Sequence, residues 1–313
     1  MKSSSLILSI LLSTAPSLQT SAKSAQHPQH DSSIQPGDII INEILSNPKI
    51  GGVDFVELYN LSDKIIDLQQ LTIASVNSKG VTGNPRKIAT HPVLIFPHEY
   101  KVLSPNPAII QQHYPNSNPR AFVEMTTLPN FNNESGGVVL SNGLITIDSA
   151  FYDPGMRSPL VANPKGISLE RQHFSMPANA IPSFHSAATV VGGATPGYPN
   201  SQSPDGTDPY EFSLQSRTFS PDNDGYEDAL KINYNLPQSG WMATIDIYNT
   251  SGYRVKKLYH NQSLATQGEI HWDGLSDSGQ PLPVGIYVAI IESYHPAGKT
   301  KKYRLSFVLA TRL

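Results

Sequence analysis

The chain has 313 residues, carries 22 Lys and Arg against 25 Asp and Glu for a formal net charge of −3, and contains no cysteine. That composition excludes disulfides, thiolate metal sites, a cysteine nucleophile and an acylated N-terminal cysteine. The scattered cations give no strong nucleic-acid footprint, and past the N-terminus no stretch holds the roughly 20 apolar residues of a membrane-spanning helix.

Met1-Lys2, the apolar run from Leu6 to Leu12 and the small residues Thr20-Ser21-Ala22 stand in the order of a secretory signal peptide, predicted over residues 1–22. The polar, Pro-containing residues 23–37 read as a disordered linker. From there, short alternating apolar runs bounded by Asn, Asp, Gly, Ser and Pro predict an all-β chain: two immunoglobulin-like β-sandwich domains in tandem after the signal peptide.

The first domain is placed at residues 38–200, with strands over Asp38–Ile44, Asp54–Asn60, Ile65–Leu71, Val93–Phe96, Tyr100–Leu103, Gly137–Leu140 and Leu144–Ile147. Alternation puts Phe55 and Glu57 on one face and Val56 and Leu58 on the other. Ser75–Thr90 and Asn106–Phe122 read as long loops. Glu43, Asp54 and Glu57 sit on neighbouring strands, the raw material of a two-carboxylate acid–base site or a metal site if the fold makes them converge. The competing reading makes them exposed polar positions or partners of Arg and backbone amides. Tyr59, Tyr100, Tyr114, Phe131 and Tyr152 could line a platform for sugars or peptides, or pack in the core.

The segments IIINEILSNP and DFVELYN between Ile39 and Asn60, Ile66-Asp67-Leu68, ESGGVVLSNG at Glu134–Gly143, Gly166–Arg171 (GISLER) and Ala194–Asn200 (ATPGYPN) follow one another over about 160 residues. In that order they resemble the bacterial lamin-tail domain. The resemblance implies an immunoglobulin-like sandwich serving recognition or structure, and it brings no catalytic residues.

Residues 201–207 read as a second linker, and 208–313 as the second sandwich. Its strands are predicted over Ala229–Asn235, Ala243–Tyr248, Tyr253–Tyr259, Glu269–Trp272, Gly285–Ser293 and Lys302–Leu309, with a hairpin turn at Asn249–Gly252. Ser220–Asp228 is the sharpest local constellation. Asp222, Asp224 and Asp228, spaced around Gly225, offer oxygens to a calcium ion, although Ser220 and Lys231 stand where an EF-hand needs acidic ligands. The alternative is an Asx-turn loop in which the same side chains bond their own backbone. Asp205, Asp208, Asp273 and Asp277 could add ligands, turn formation being the simpler account of each.

FSPDNDGYEDALKINYNL from Phe219, IDIYNTSGYRVKKLY from Ile245 and WDGLSDSGQPLPVGIYVAIIE from Trp272 resemble the immunoglobulin-like domain of flagellar hook-capping (FlgD) type. They also resemble the C-terminal domains of exported Bacteroidetes proteins, some of which are sorting signals for the type IX secretion route. No zinc-protease, nucleophile-elbow or phosphate-loop motif occurs. The expectation is therefore a non-catalytic protein, secreted or at the cell surface, whose partners are a surface protein or glycan and the type IX machinery. The alternative is an accessory module of an exported hydrolase acting on polysaccharide or nucleic acid.

Overall fold

The computed structural model describes residues 33–174, 183–203 and 211–311. The predicted signal peptide, most of the first linker and residues 204–207 of the second lie outside them, as do Asp205 and Asp208. The described chain is all-β apart from one short α-helix and four single 3₁₀ turns.

In chain order the first domain contains β1 (Ile39–Leu45), β2 (Phe55–Asn60), β3 (Ile66–Asp67), β4 (Thr72–Val76), β5 (Arg86–Lys87), β6 (Leu94–Ile95), β7 (Tyr100–Ser104), α1 (Pro107–His113), β8 (Phe122–Glu124), β9 (Gly136–Ser141), β10 (Thr146–Tyr152), β11 (Leu169–Arg171) and β12 (Phe184–Ser186). A six-stranded sheet in the order β12-β11-β1-β2-β7-β8 packs on a four-stranded sheet in the order β10-β9-β4-β5. Ile39, Ile41, Val56, Leu58 and Leu103 from the larger sheet meet Ile73, Val138, Leu140 and Ile147 from the smaller in one core.

The second domain contains β13 (Glu211–Leu214), β14 (Thr218–Phe219), β15 (Leu230–Asn235), β16 (Met242–Asn249), β17 (Arg254–Ser263), β18 (Gln267–Trp272), β19 (Gly285–Tyr294) and β20 (Thr300–Leu309). The sheet β13-β15-β18 faces the sheet β14-β20-β19-β16-β17 across a core of its own built on Trp241, Trp272, Phe212, Phe219 and Phe307. The Asn249–Gly252 turn forms as expected: Gly252 is left-handed, and the Asn249 side chain accepts from the N–H groups of Ser251 and Tyr253.

Three expectations are corrected. The strand predicted over Ile65–Leu71 breaks after Asp67, because the Asp67 carboxylate accepts the Gln69 N–H (3.0 Å) and caps a 3₁₀ turn. The strand predicted from Leu144 begins at Thr146, because the Asn142 side chain accepts from the Leu144 and Ile145 N–H groups and holds them in the turn. The segment Asn106–Phe122 is not one long loop. Asn106 caps α1 through the Ile109 N–H, with Pro107 in the first helical position.

A bulge in β1 decides what the larger sheet presents outward. Ile41 pairs with Leu58, yet Glu43 pairs with Glu57, so Asn42 is an extra residue. Before it, Ile39 and Ile41 face the main core; after it, Ile44 does. The parity switch turns Glu43 and Leu45 onto the opposite face beside Phe55 and Glu57. There Leu45, Phe55 and Val102 form a second small core with Ile110 of α1, Tyr114, Ala121 and Ala194. The outer face of this sheet is therefore covered.

Candidate functional site

Under that cover lies a row of three carboxylates. Glu43 on β1 pairs laterally with Glu170 on β11 and with Glu57 on β2, and all three are fully buried. The structure thus brings Glu43 and Glu57 together, as the sequence allowed, but as buried groups. Asp54 stays apart near Phe131, only partly buried, and Glu170 takes the place assigned to it.

Nearly every oxygen in the row accepts a hydrogen bond, chiefly from the segment Thr195–Gln202. The Glu43 carboxyl accepts from Ser168 Oγ and from the Thr195 N–H at 3.0 Å. Glu57 accepts from Asn42 Nδ2 at 2.7 Å and from the Gly197 N–H at 2.5 Å. Glu170 accepts from Thr195 Oγ1 at 2.9 Å, Ser201 Oγ at 2.8 Å and the Gln202 N–H at 2.9 Å. Glu43 Oε2 alone is buried without a hydrogen-bond partner.

Among the described residues no Lys or Arg pairs with any of the three. Burial without a counter-cation disfavours charge, so all three carboxyls are pushed above the usual range, Glu57 to about 8. For Glu43 the neighbouring acids add to the effect, whereas the Gly197 and Asn42 donors pull Glu57 the other way. Asp54 is raised to about 7, again by burial.

What this arrangement does is clasp a strap. Gly197 passes so close to the turn at Pro119–Ala121 that a Cβ would lie 2.6 Å from Asn118 Cβ and 2.7 Å from Ala121 Cβ, and its φ of +83° is left-handed. Glycine is required on both counts. Asn200 fixes the next turn, donating from Nδ2 to the Arg171 carbonyl (2.8 Å) and to Asn42 Oδ1 (2.9 Å).

The strap then runs on into the second domain. The Thr266 N–H donates to the Ser201 carbonyl (2.9 Å), Gln202 Nε2 to the Leu264 carbonyl (3.2 Å), and the Gly240 N–H to Gln202 Oε1 (3.3 Å). Residues 201 and 202 open the segment expected to be a linker. They are buried and bond both sandwiches, with Ser201 Oγ and the Gln202 N–H held by Glu170 and the Ser201 carbonyl and the Gln202 side chain held by the second domain.

The structure also gathers Asp222, Asp224 and Asp228, with one oxygen of each within 4.8 Å of the others. The loop bends through left-handed Asn223, Gly225 and Glu227. Asp228 accepts from the Asn223 and Gly225 N–H groups at 2.6 and 2.9 Å, and Asp224 Oδ1 accepts the Tyr226 N–H at 2.8 Å. These bonds build the Asx-turn frame and still leave carboxylate lone pairs pointing outward, so the residues fit a hard, oxygen-seeking cation. Asp273 serves a turn instead, accepting the Leu275 N–H, whereas Asp277, expected to do the same, accepts the Lys257 N–H and ties its loop to β17. If calcium binds, millimolar Ca²⁺ raises the melting temperature of the wild type and leaves Asp224→Asn unmoved; an unchanged wild-type melt removes the site.

The aromatic residues do not share a platform. Phe131 and Tyr152 lie in the main core, Tyr114 in the smaller one donating to the Gly166 carbonyl (2.8 Å), and Tyr59 stacks on Phe174 and lies tilted against Tyr100.

The second sandwich carries the decisive likeness. Residues 213–309 match the CHU_C type IX secretion signal domain. No curated protein matches the chain. Among solved structures it is similar to FlgD from Pseudomonas aeruginosa (23% identity over 31% of this chain and 67% of that one, TM-score 0.23). It is similar also to latent PorU from Porphyromonas gingivalis (13% identity, 90% of this chain and 19% of that one, TM-score 0.26). A further likeness is to PorZ, a surface component of the type IX secretion system of that organism (16% identity, 85% and 30%, TM-score 0.26). The chain thus spans under a third of PorU and of PorZ. Among the described residues no helix is long and apolar enough to cross a membrane.

Proposed function

We propose that this is an exported, non-catalytic binding protein of the Bacteroidetes type, in which residues 208–313 direct sorting through the type IX route and the first sandwich is a lamin-tail-like module that contacts a protein or glycan at the cell surface. The observation that carries the reading is the match of a type IX secretion signal domain to residues 213–309. The predicted signal peptide at 1–22 agrees with it by supplying the first export step, and the FlgD-like sequence pattern of the second sandwich agrees with the immunoglobulin-like form of such domains.

The lamin-tail reading is supported by where its landmarks meet. Glu43 of the INE strand, Glu57 of the ELYN strand, Glu170 of the LER strand and the TPGYPN strap join in one hydrogen-bonded clasp. Residues that carry a resemblance at four distant places in sequence therefore share one structural task. The non-catalytic reading is supported by the same geometry, since carboxylates sealed from solvent and spent on their own chain have no substrate to act on.

Deletion of residues 208–313 in the native host is expected to abolish surface display, and fusion of those residues behind an exported reporter is expected to place the reporter at the surface. Surface recovery of the truncated protein, or a fusion retained in the periplasm, defeats the sorting role.

A further inference from the structure

We infer that the open side of the first sandwich, between the edge strands β5 and β8, is a docking groove for an extended acidic peptide strand. The inference rests on the proposed reading of this domain as a recognition module and names the surface and the partner chemistry.

The two sheets end on this side in strands paired on one edge only, β5 on β4 and β8 on β7. Between them lies a groove of about 530 Å³, within the range that holds a small ligand or a few residues of peptide. Its floor is apolar and already buried, with Ile88, Ala89 and Val123, while Val93 and Phe122 are half-covered.

β8 runs parallel to β7, with Phe122, Val123 and Glu124 aligned on Val102, Leu103 and Ser104. The Met125 N–H donates to the Ser104 carbonyl. The two-residue repeat of a ladder then turns the N–H and C=O groups of Phe122 and Glu124 away from β7, toward the groove. An open row of backbone donors and acceptors is what an added strand pairs with.

Charge selects the guest. The rim carries Arg86, Lys87 and His91 against a single carboxylate, Glu124. Arg86, Lys87 and Glu124 are exposed, and among the described residues none has an ion-pair or side-chain hydrogen-bond partner. Two uncompensated cations over a partly covered apolar floor fit a strand that alternates acidic with β-branched or aromatic side chains. Cations on a bare edge also serve simply to repel other strands, and the two roles part under test.

A random heptapeptide library selected on the full exported chain is expected to enrich strands alternating Asp or Glu with Val, Ile, Thr or Tyr. A synthetic peptide of the enriched sequence should lose about tenfold in affinity for the Arg86→Glu/Lys87→Glu variant. It should also lose binding when alternate backbone nitrogens are methylated. Both substituted residues are exposed, so an unchanged melting temperature verifies the fold of the variant. Enrichment without acidic residues, equal binding to the variant, or no enrichment at all overturns the groove and leaves the cations as edge guards.

Cross-linking on intact cells separates the two proposals. Cross-links that vanish only in the double variant support the groove, and cross-links retained in the variant overturn it while the recognition role stands. A wild type that reaches the surface and cross-links nothing overturns the recognition role itself.

Discussion

Glu43→Gln is expected to make the protein more stable at alkaline pH and to flatten the dependence of stability on pH. Glutamine reproduces the neutral acid in shape. Its carbonyl oxygen still accepts from Ser168 Oγ and the Thr195 N–H, and its amide occupies the place of Oε2, which has no partner to lose. The sign follows from the direction of the shifts. Glu43, Glu57 and Glu170 are held above their unfolded values by burial. Their neutral forms therefore favour folding fully below the unfolded value, and that contribution is lost as pH rises, through about 8 for Glu57.

The wild type should accordingly melt at progressively lower temperature between about pH 6.5 and 9. His185 and His295, held below their usual range by burial, act in the opposite sense on the acid side, so the alkaline window is the clean one. Ionising a buried carboxyl that has no counter-cation and one oxygen without a donor costs at least about 2 kcal/mol. Its removal is expected to raise the melting temperature at pH 9 by about 4 to 8 °C, and by less at pH 6, where folding against the unfolded carboxylate's ionisation costs less. Asp54, Glu57 and Glu170 remain, so the slope shrinks without vanishing. Calorimetry of both proteins at three pH values decides it. A wild-type melt independent of pH over this window, or a variant less stable than wild type at pH 9, would show that the row holds its charge.

Much of the frame was legible because alternation reports one-sided burial. The six strands predicted in the second sandwich lie within a few residues of their places, since Leu230, Ile232 and Tyr234, or Ile245 and Ile247, keep period two without interruption, whereas β13 and β14 were not predicted. Phe55 and Glu57 do share a face, opposite Val56 and Leu58. The short pairings were not legible. β5 and β8 have two and three residues, too few to show a period, and α1 buries only Ile110. A helix held by its cap and one side chain leaves almost no pattern.

The clasp was half legible. Glu43 and Glu57 could be suspected from adjacent strands, but Glu170 lies more than a hundred residues on, and no local rule says that an acid inside an apolar strand is buried. The bulge at Asn42 is equally silent in sequence, yet it alone puts Glu43 on the face of Glu57. The one available signal was the recurrence of acids in INE, ELYN and LER beside a Gly-Pro strap. Read physically, acids in apolar strands require backbone donors, and a strap whose prolines break regular structure has donors to spare.

The side of the first sandwich opposite the groove is closed by a buried ion pair, and breaking it is expected to cost far more than breaking an exposed one of similar length. Asp148 on β10 accepts from Arg171 Nη1 on β11 at 2.8 Å and from the Ile41 N–H on β1 at 2.8 Å, so one carboxylate joins both sheets. The Arg171 side chain is 3% exposed and that of Asp148 13%. Asp148→Ala takes the carboxylate from a buried guanidinium and the acceptor from the buried Ile41 N–H, and should cost about 3 to 5 kcal/mol, a fall of roughly 10 °C in melting temperature. Asp148→Asn keeps an acceptor for Ile41 and should fall between. On the second sandwich Lys302 and Glu292 lie 2.6 Å apart with both side chains more than half exposed, and Glu292→Ala should change stability by no more than about 0.5 kcal/mol. Guanidinium unfolding of the three variants gives the comparison directly. Equal costs for Asp148→Ala and Glu292→Ala would mean that contact distance governs these pairs. The expected inequality would mean that burial does, and that the Asp148 carboxylate locks the two sheets together along β10.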